Sequence, residues 1–141
     1  MTAERDLTAL LQNMKPELRL GIFVFCTIPP TASIPGTVTP LLTFREQEGT
    51  TLVIPLEEAE AAGLNHAFAS RLITLTVHSA LDAVGFLAAI TAPLAEAGIS
   101  VNAVSAFHHD HLFVPADRAD EAMALLVGLP PLPLSKKASM A

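Results

Sequence analysis

One segment of the sequence occurs in similar form in both halves of the chain, and this internal repeat constrains the fold more than any other feature. TLVIPLEEAEA at residues 51–61 and HLFVPADRADE at residues 111–121 share a leucine, a proline and an alanine in register. Each segment follows a phenylalanine, Phe44 or Phe107, that we expect to end the preceding strand. Both segments fit the order strand, proline, acidic helix. The repeat therefore predicts two related half-domains.

The second half has the clearer pattern of secondary structure, because its apolar residues change from a period of two to a helical period and back. It predicts a strand, a helix, two strands and a helix, at residues 71–78, 83–98, 100–107, 112–114 and 117–127. Pro93 lies inside the first of these helices and should bend it or separate its last turn. Gly98 and Gly128 follow the two helices and are natural ends for them.

The first half predicts a similar order of elements with one replacement. A short amphipathic helix and a long strand are followed by a hairpin and a second helix, at residues 4–14, 18–28, 41–45 with 50–54, and 56–64. A loop over residues 29–38, which begins with two prolines, stands where the second half has its first helix. The first half is therefore expected to be a degenerate copy.

Right-handed connections of a strand, helix, strand, strand, helix unit give a ferredoxin-like fold, with helices on one face of an antiparallel sheet. The second half has no good fourth strand of its own, since residues 129–134 are rich in proline. We expect the strand at residues 18–28 to fill that position. The predicted divisions are a degenerate first half at 1–66, a second half at 67–130 and a flexible tail at 131–141.

Residues 70–128 resemble an ACT domain, the small regulatory module that binds amino acids, through LITLTVHSALDAVGFLAAITAPLAEAGISVNAVSAFHHDHLFVPADRADEAMALL. Through EQEGTTLVIP and FHHDHLFVPADRADEA the whole chain is similar to bacterial tandem-ACT proteins of unassigned function. The pattern apolar-Ser-x-Phe-x-x-Asp is also similar to that of the ACT domains of eukaryotic cytosolic arginine sensors. The resemblance implies an α+β, ferredoxin-like βαββαβ fold in two tandem ACT-like halves, and a regulatory function.

One departure from the family pattern affects the ligand. Many ACT domains have Asp-x-Pro-Gly in the first loop, whereas this chain has Asp82-Ala83-Val84-Gly85, with valine in place of proline. Gly85 still lets the backbone approach a ligand closely. The identity of the ligand does not follow from the resemblance.

Composition and charge exclude several other classes of protein. No apolar run reaches the roughly 18 residues that cross a bilayer, so we expect no membrane partner. The net charge of -6 argues against nucleic acid, since the only adjacent basic pair is Lys136-Lys137. Glu4 and Asp6 do not suit a signal peptide, and the protein is expected in the cytoplasm. The single Cys26 lies in an apolar run and is expected to be buried.

The segment His108-His109-Asp110-His111 first suggests a metal site. In an extended strand, however, His108 and Asp110 face one side while His109 and His111 face the other. Two ligands on one face fall short of the three or four that zinc needs, and no other residues supply the rest. We therefore expect no metal or other cofactor, and interpret the segment as the end of a hairpin.

Asp110 suggests a more specific role. The predicted fold places the end of this hairpin near the loop 79–85, where N–H groups at the start of a helix can receive a carboxylate. Asp110 can then pair with an ammonium group, so that the site matches a free amino acid. The alternative is that Asp110 only shapes the turn through local hydrogen bonds. The predicted ligand-binding residues are Ser79, Asp82, Ala83, Val84, Gly85, Ser105, Ala106, Phe107 and Asp110.

These features predict a non-catalytic regulatory protein that binds an amino acid or a similar metabolite. The alternative is a dimerising scaffold protein in which the pocket is vestigial. An enzyme is the third option, because no nucleophile, base and oxyanion set is visible and no serine lies in a nucleophile elbow. Exposed edge strands and the high apolar content predict a homodimer. A sensor without an output domain also implies a protein partner.

Overall fold

The computed structural model describes residues 3–129, and its strands form one seven-stranded sheet in which every pair is antiparallel. The elements of the first half, in chain order, are α1 Leu7–Asn13, β1 Pro16–Leu18, β2 Phe23–Ile28, β3 Leu42–Arg45, β4 Thr50–Pro55 and α2 Leu56–Ala62. Those that follow are β5 His66–Leu75, α3 Phe86–Glu96, β6 Asn102–Ser105, β7 Asp110–Pro115, a 3₁₀ turn at Ala116–Arg118 and α4 Ala119–Val127. None of the helices within residues 3–129 is long and apolar enough to cross a membrane.

The sheet contains two ferredoxin-like units that share strand β5. Its order is β3-β4-β2-β5-β7-β6, and β1 also pairs with β5. The beginning of β5 pairs with β2 as the last strand of the first unit, and its end pairs with β7 as the first strand of the second. The short strand β1 pairs with residues 73–75 and is the fourth strand of the second unit. The expected α+β fold is confirmed, and the fourth strand does come from the first half, but it is β1 at residues 16–18 and not the strand expected at 18–28.

The strand predicted at residues 18–28 is wrong at its beginning, because only Leu18 of it belongs to β1 and the rest of the observed strand is β2. β1 ends at Leu18 and β2 begins at Phe23. Between them Gly21 has a φ of 94°, a conformation that glycine adopts without steric cost and that interrupts an extended strand. The interruption lets β1 pair with the end of β5 while β2 pairs with its beginning.

β5 begins earlier and ends earlier than the strand predicted at residues 71–78. His66, the last residue of the predicted first half, is the first residue of β5 and lies opposite Cys26. Phe68 has a positive φ of 61° within a stretch where the pairing with β2 shifts register, which is the mark of a β-bulge. The bulge breaks the alternation of side chains, and this is why the pattern did not predict residues 66–70 as a strand. The predicted division between residues 66 and 67 falls at the start of this strand.

The internal repeat has the same structural role in both halves. Leu52 and Leu112 are fully buried in β4 and β7, each of these strands ends at a proline, and Ala59 and Ala119 are buried in the helices that follow. The expected equivalence of Phe44 and Phe107 is wrong. Phe44 lies in β3 opposite Thr51, and its counterpart opposite His111 is Val104. Phe107 lies beyond β6, in the turn that leads to β7.

The helices cover one face of the sheet. In the second half α1, α3 and α4 pack on β5 and β7 through buried apolar side chains, which include Leu10, Ile73, Leu75, Phe86, Ile90, Leu94, Leu112, Val114, Ala122 and Leu126. In the first half α2 packs through Ala59 on β2 and β4, in a cluster that also contains Cys26. The expected burial of Cys26 is confirmed, since it is 4% exposed. Burial also raises the pKa of its thiol.

The opposite face carries no helix within residues 3–129, and we call it the helix-free face. Val53, Leu72 and Phe113 are buried there and are surrounded by half-buried apolar side chains, namely Phe23, Phe25, Leu42, Phe68 and Val104. Phe25 and Phe113 meet edge to face, with ring centroids 5.4 Å apart. Aromatic pairs prefer this geometry, so the cluster joins the two halves across β5.

Most of the remaining helices and strands begin and end within a few residues of their predicted limits. α3 continues through Pro93 as far as Glu96, so its last turn is not separated. The helix predicted at residues 117–127 begins as the 3₁₀ turn and becomes α-helical at Ala119. The predicted tail at 131–141 lies outside the described residues.

Candidate ligand-binding site

Asp110 is a buried carboxylate at the start of β7. Its backbone lies opposite Leu75 on one side and Ser105 on the other, so Asp110 belongs to the sheet and not to the turn. Only 5% of the residue is exposed. The hydroxyl of Ser79 donates to Oδ2 at 2.7 Å, and the hydroxyl of Ser105 donates to Oδ1 at 2.5 Å. These two hydrogen bonds compensate in part for the cost of burying the charge and fix the orientation of the carboxylate.

A cleft of about 270 Å³ lies beside this carboxylate. It contains five of the predicted ligand-binding residues, namely Ser79, Ala83, Gly85, Ser105 and Asp110. Its remaining lining residues are Ala80, Leu81, Phe86, Leu87 and Ala88. The loop after β5, the first turn of α3 and the hairpin of β6 and β7 therefore meet at one place, as the order of elements predicted.

Four predicted residues lie outside this cleft. The carboxylate of Asp82 faces away and forms an ion pair with the guanidinium of Arg5 at 2.9 Å, with both side chains largely exposed. Val84 is 84% exposed and Phe107 is 71% exposed. Ala106 borders a different groove, on the helix-free face. The structure thus brings together five of the nine predicted residues, and the polar Asp82 and the small Ala106 are not among them.

The segment that precedes α1 holds the loop of the cleft in place. The N–H of Glu4 donates to the carbonyl of His78 at 2.8 Å, and the N–H of Ala80 donates to the carbonyl of Glu4 at 2.8 Å. Arg5 adds the ion pair with Asp82. Backbone hydrogen bonds on both sides of Ser79 therefore fix the position from which its hydroxyl reaches Asp110.

The cleft also includes the beginning of α3. Gly85 is the N-cap, with a φ of 88°, and it provides no side-chain cap to the helix. The first N–H groups of a helix have no partner within the helix, and the helix dipole places a partial positive charge there. The cleft thus presents a carboxylate on one side and backbone donors on the other.

His109 and His111 flank Asp110 in sequence, and their rings contact groups outside the cleft. The Nδ1 atom of His109 is 3.2 Å from the carbonyl oxygen of Val77, and Nδ1 of His111 is 3.0 Å from the hydroxyl of Thr74. The rings of His109 and His111 lie 6.5 Å apart. Burial lowers the pKa of His111, and the nearby His109 lowers it further. Within residues 3–129, no three His, Cys, Asp or Glu side chains are grouped so that they could hold a metal ion.

Two groups of residues around the cleft were not predicted from the sequence as part of the site. The apolar wall at residues 86–88 was predicted as the first turn of a helix, and the proximity of that turn to the loop 79–85 was a usable signal. Arg5 and Glu4 are distant in sequence from the loop that they contact. No local pattern indicates that contact, because the parallel bridge between Glu4 and Ser79 is isolated.

The fold and the cleft define a tandem regulatory module of the ferredoxin-like class. Residues 2–71 match one ACT domain family, and residues 68–127 match another. The chain belongs to the ACT domain proteins and contains two ACT domains in tandem. The predicted resemblance is confirmed. No protein with curated annotation matches the chain.

Solved structures of similar architecture support this assignment. A protein of unknown function from Vibrio cholerae, named a possible transport protein, is 45% identical, with a TM-score of 0.78 over 87% of this chain and 94% of that one. A protein from Agrobacterium tumefaciens is 19% identical, with a TM-score of 0.70 over 82% and 88%. The regulatory subunit of aspartate kinase from Thermus thermophilus, in its ligand-free form, is 12% identical, with a TM-score of 0.61 over 85% and 98%. The last two likenesses concern the fold alone.

Proposed function

We propose that the protein is a non-catalytic regulator that binds a free amino acid in the cleft beside Asp110. The observation that carries the proposal is a carboxylate that is 5% exposed, oriented by two serine hydroxyls, and adjacent to a cleft of about 270 Å³. ACT domains are commonly ligand-binding regulatory modules, and this arrangement supports such a role here. The proposal that the ligand is an amino acid rests on the two kinds of charge that the cleft presents.

The carboxylate of Asp110 has capacity for a cationic ligand. An ionised carboxylate offers about four lone-pair sites, and the hydroxyls of Ser79 and Ser105 use two of them. An ammonium group placed in the cleft would use the remaining sites and form charge-assisted hydrogen bonds. Such bonds are about twice as strong as those between neutral groups.

The beginning of α3 offers the matching group for the other end of the ligand. Residues 86–88 line the same cleft, their N–H groups have no partner within the helix, and the N-cap Gly85 has no side chain that could block them. Backbone donors at a helix N-terminus bind carboxylates well. A zwitterion that spans from Asp110 to this helix end satisfies both charges, which is the basis for preferring an amino acid.

The serines of the cleft do not resemble catalytic nucleophiles. Ser79 and Ser105 donate to Asp110, whereas the ring nitrogens of His109 and His111 contact Val77 and Thr74. In the common serine triad an imidazole accepts the proton of the serine hydroxyl, and neither serine makes such a contact with His109 or His111. The arrangement supports binding and not acyl transfer.

Replacement of Asp110 tests the proposal. Thermal-shift measurements with each of the twenty amino acids identify the ligand, because a ligand that binds the folded state raises its melting temperature. Asp110→Asn removes one charge-assisted interaction and should weaken binding by about ten- to a hundredfold in isothermal titration. The fold should persist, since asparagine is nearly isosteric and the serine hydroxyls can rotate to accept from its amide.

His109→Ala is the matched control, because the imidazole of His109 contacts Val77 and does not line the cleft. Its affinity should stay close to that of the wild type. Equal affinities for Asp110→Asn and the wild type would remove Asp110 from the binding site. The absence of any amino acid that raises the melting temperature would favour the alternative, a scaffold with a vestigial pocket.

We also propose that the protein is a homodimer and transmits its signal to another protein. β3 and β6 are the edge strands, and the exposed Phe44 on β3 adds apolar surface to one of them. Unpaired edge strands are ready sites for association. Light scattering at micromolar concentration should give twice the monomer mass of 14.8 kDa, and the monomer mass would contradict the proposal. The cytoplasmic location expected from the sequence stays a prediction.

A further inference from the structure

A second and larger groove lies on the helix-free face. It has a volume of about 510 Å³, within the range of small-molecule sites. Strands β1, β2, β3, β5, β6 and β7 or their adjoining loops all contribute to it. Its lining residues are Glu17, Leu18, Arg19, Leu20, Phe23, Leu41, Leu42, Leu72, Val104, Ala106, His111 and Phe113.

The groove is separate from the cleft beside Asp110. Successive side chains of β7 point to opposite faces of the sheet, so Asp110 and Leu112 face α3 while His111 and Phe113 face the groove. A ligand in one site therefore does not touch a ligand in the other. Binding in the groove is therefore independent of the function proposed for the cleft beside Asp110.

The floor of the groove is apolar and already ordered. Leu72 and Phe113 lie opposite each other in β5 and β7 and are almost fully buried, and the ring of Phe23 meets Phe113 edge to face at 6.3 Å. At the rim, Leu20 is 91% exposed and Leu41 is 51% exposed. An apolar ligand that covers this rim would remove it from water, which is favourable in proportion to the area buried.

One end of the groove is polar and carries a cation. Arg19 follows β1, and its Nε atom lies 3.8 Å from the carboxylate of Glu17, which is longer than a hydrogen bond. A guanidinium has five N–H donors in a planar fork that matches a carboxylate. His111 adds an imidazole on the same row of the sheet, because Glu17 lies opposite Thr74 and Thr74 lies opposite His111.

We propose that this groove binds a small monocarboxylate with an apolar body, with the carboxylate at Arg19 and the body on Leu72 and Phe113. The planar fork of the Arg19 guanidinium can hold both oxygens of a carboxylate, which is the reason for preferring an acid to an amine. The apolar floor distinguishes it from small polar acids. The carboxylate of Glu17 repels an anion at the same end of the groove, so Glu17→Gln tests the sign of the charge on the ligand.

The test uses octanoate as the probe and the full chain as the protein. Isothermal titration, at octanoate concentrations where it does not form micelles, should show saturable binding to the wild type. Arg19→Gln should weaken binding about tenfold, because it removes a charge-assisted hydrogen bond. Glu17→Gln should leave binding unchanged or strengthen it. Octylamine, which has a body of the same length and the opposite charge, should bind at least tenfold more weakly.

Two matched controls separate a site from general apolar association. Arg45→Gln replaces an exposed arginine on β3 that does not line the groove and should not change the affinity. Leu41→Ser should weaken binding, whereas Ile34→Ser, at a residue of comparable exposure outside the groove, should not. Circular dichroism of every variant checks that it is folded.

Three results would overturn the proposal. They are no saturable binding of octanoate, equal affinities of wild type and Arg19→Gln, and octylamine binding that Glu17→Gln weakens. If octanoate does not bind and Leu20→Ser dissociates a dimer, this face is assigned to a second copy of the chain.

Discussion

At the scale of single residues, Asp110 shows what a local pattern can and cannot predict. The crowding of His108, His109, Asp110 and His111 marks the segment that contains the buried Asp110, and alternation along a strand separates Asp110 from His111. The hydroxyl partners of Asp110 come from residues 31 and 5 positions away. The more distant one, Ser79, is held by a segment near the beginning of the chain, and no local sequence pattern contains that information.

His111 makes stability depend on pH in a defined direction. Burial lowers the pKa of its imidazole from 6.5, His109 lowers it further, and Asp110 partly opposes this. The unfolded chain therefore binds more protons than the folded chain once the pH falls below about 6.5. Protonation of His111 should therefore leave the free energy of unfolding unchanged above that pH and should lower it as the pH decreases. The effect should be complete below the pKa of His111 in the folded state.

Urea unfolding at pH 7.5 and pH 5.5 measures this effect. His111→Gln should lose less stability than the wild type between the two pH values. The control is His66→Gln, which removes an exposed histidine at the start of β5. The same pH dependence in His111→Gln and wild type would show that another group is responsible.

At the scale of helices and strands, periodicity predicted the type of nearly every element but not all of their limits. β4, α2, β7 and α4 were recognisable because proline, acidic residues and apolar spacing agree there. The beginning of β5 was missed because the bulge at Phe68 shifts its pattern. β1 was not predicted, because three residues that begin with a proline are too few to show a strand pattern, and Gly21 alone does not reveal its positive φ. Backbone dihedral angles of this kind are set by the pairing of distant strands.

Gly85 fixes the start of α3 through its backbone conformation. Its φ of 88° is in the left-handed region, and a Cβ there would meet only a methyl carbon of Leu7 at an ordinary 3.6 Å. The cost of Gly85→Ala should therefore come from the backbone and should lower the free energy of unfolding by about 1–2 kcal/mol. Gly36→Ala is the control, since Gly36 has open space around it and no positive φ. Urea unfolding of both variants measures the difference, and equal stabilities would contradict the assignment.

At the scale of the whole molecule, the two halves should unfold together. β5 pairs with strands of both halves, and the phenylalanine cluster of the helix-free face spans it. α1 and β1 belong to the first half in sequence but pack in the second, where Leu10 is fully buried. Native-state hydrogen exchange should therefore give the same free energy of opening for the slowest amides of β4 and β7. A value for β4 clearly below that for β7 would indicate separate unfolding.

The origin of β1 has a consequence for how two chains can combine. The strand that completes the second unit arrives from the beginning of the chain, across the short connection at residues 19–22, where Gly21 permits an unusual backbone conformation. If two copies exchanged α1 and β1 through this hinge, each would regain every contact that it had alone, and the product would be an intertwined dimer that needs no new interface. The stiffness of residues 19–22 therefore affects whether the chain packs α1 and β1 on its own second unit or exchanges them with a second copy.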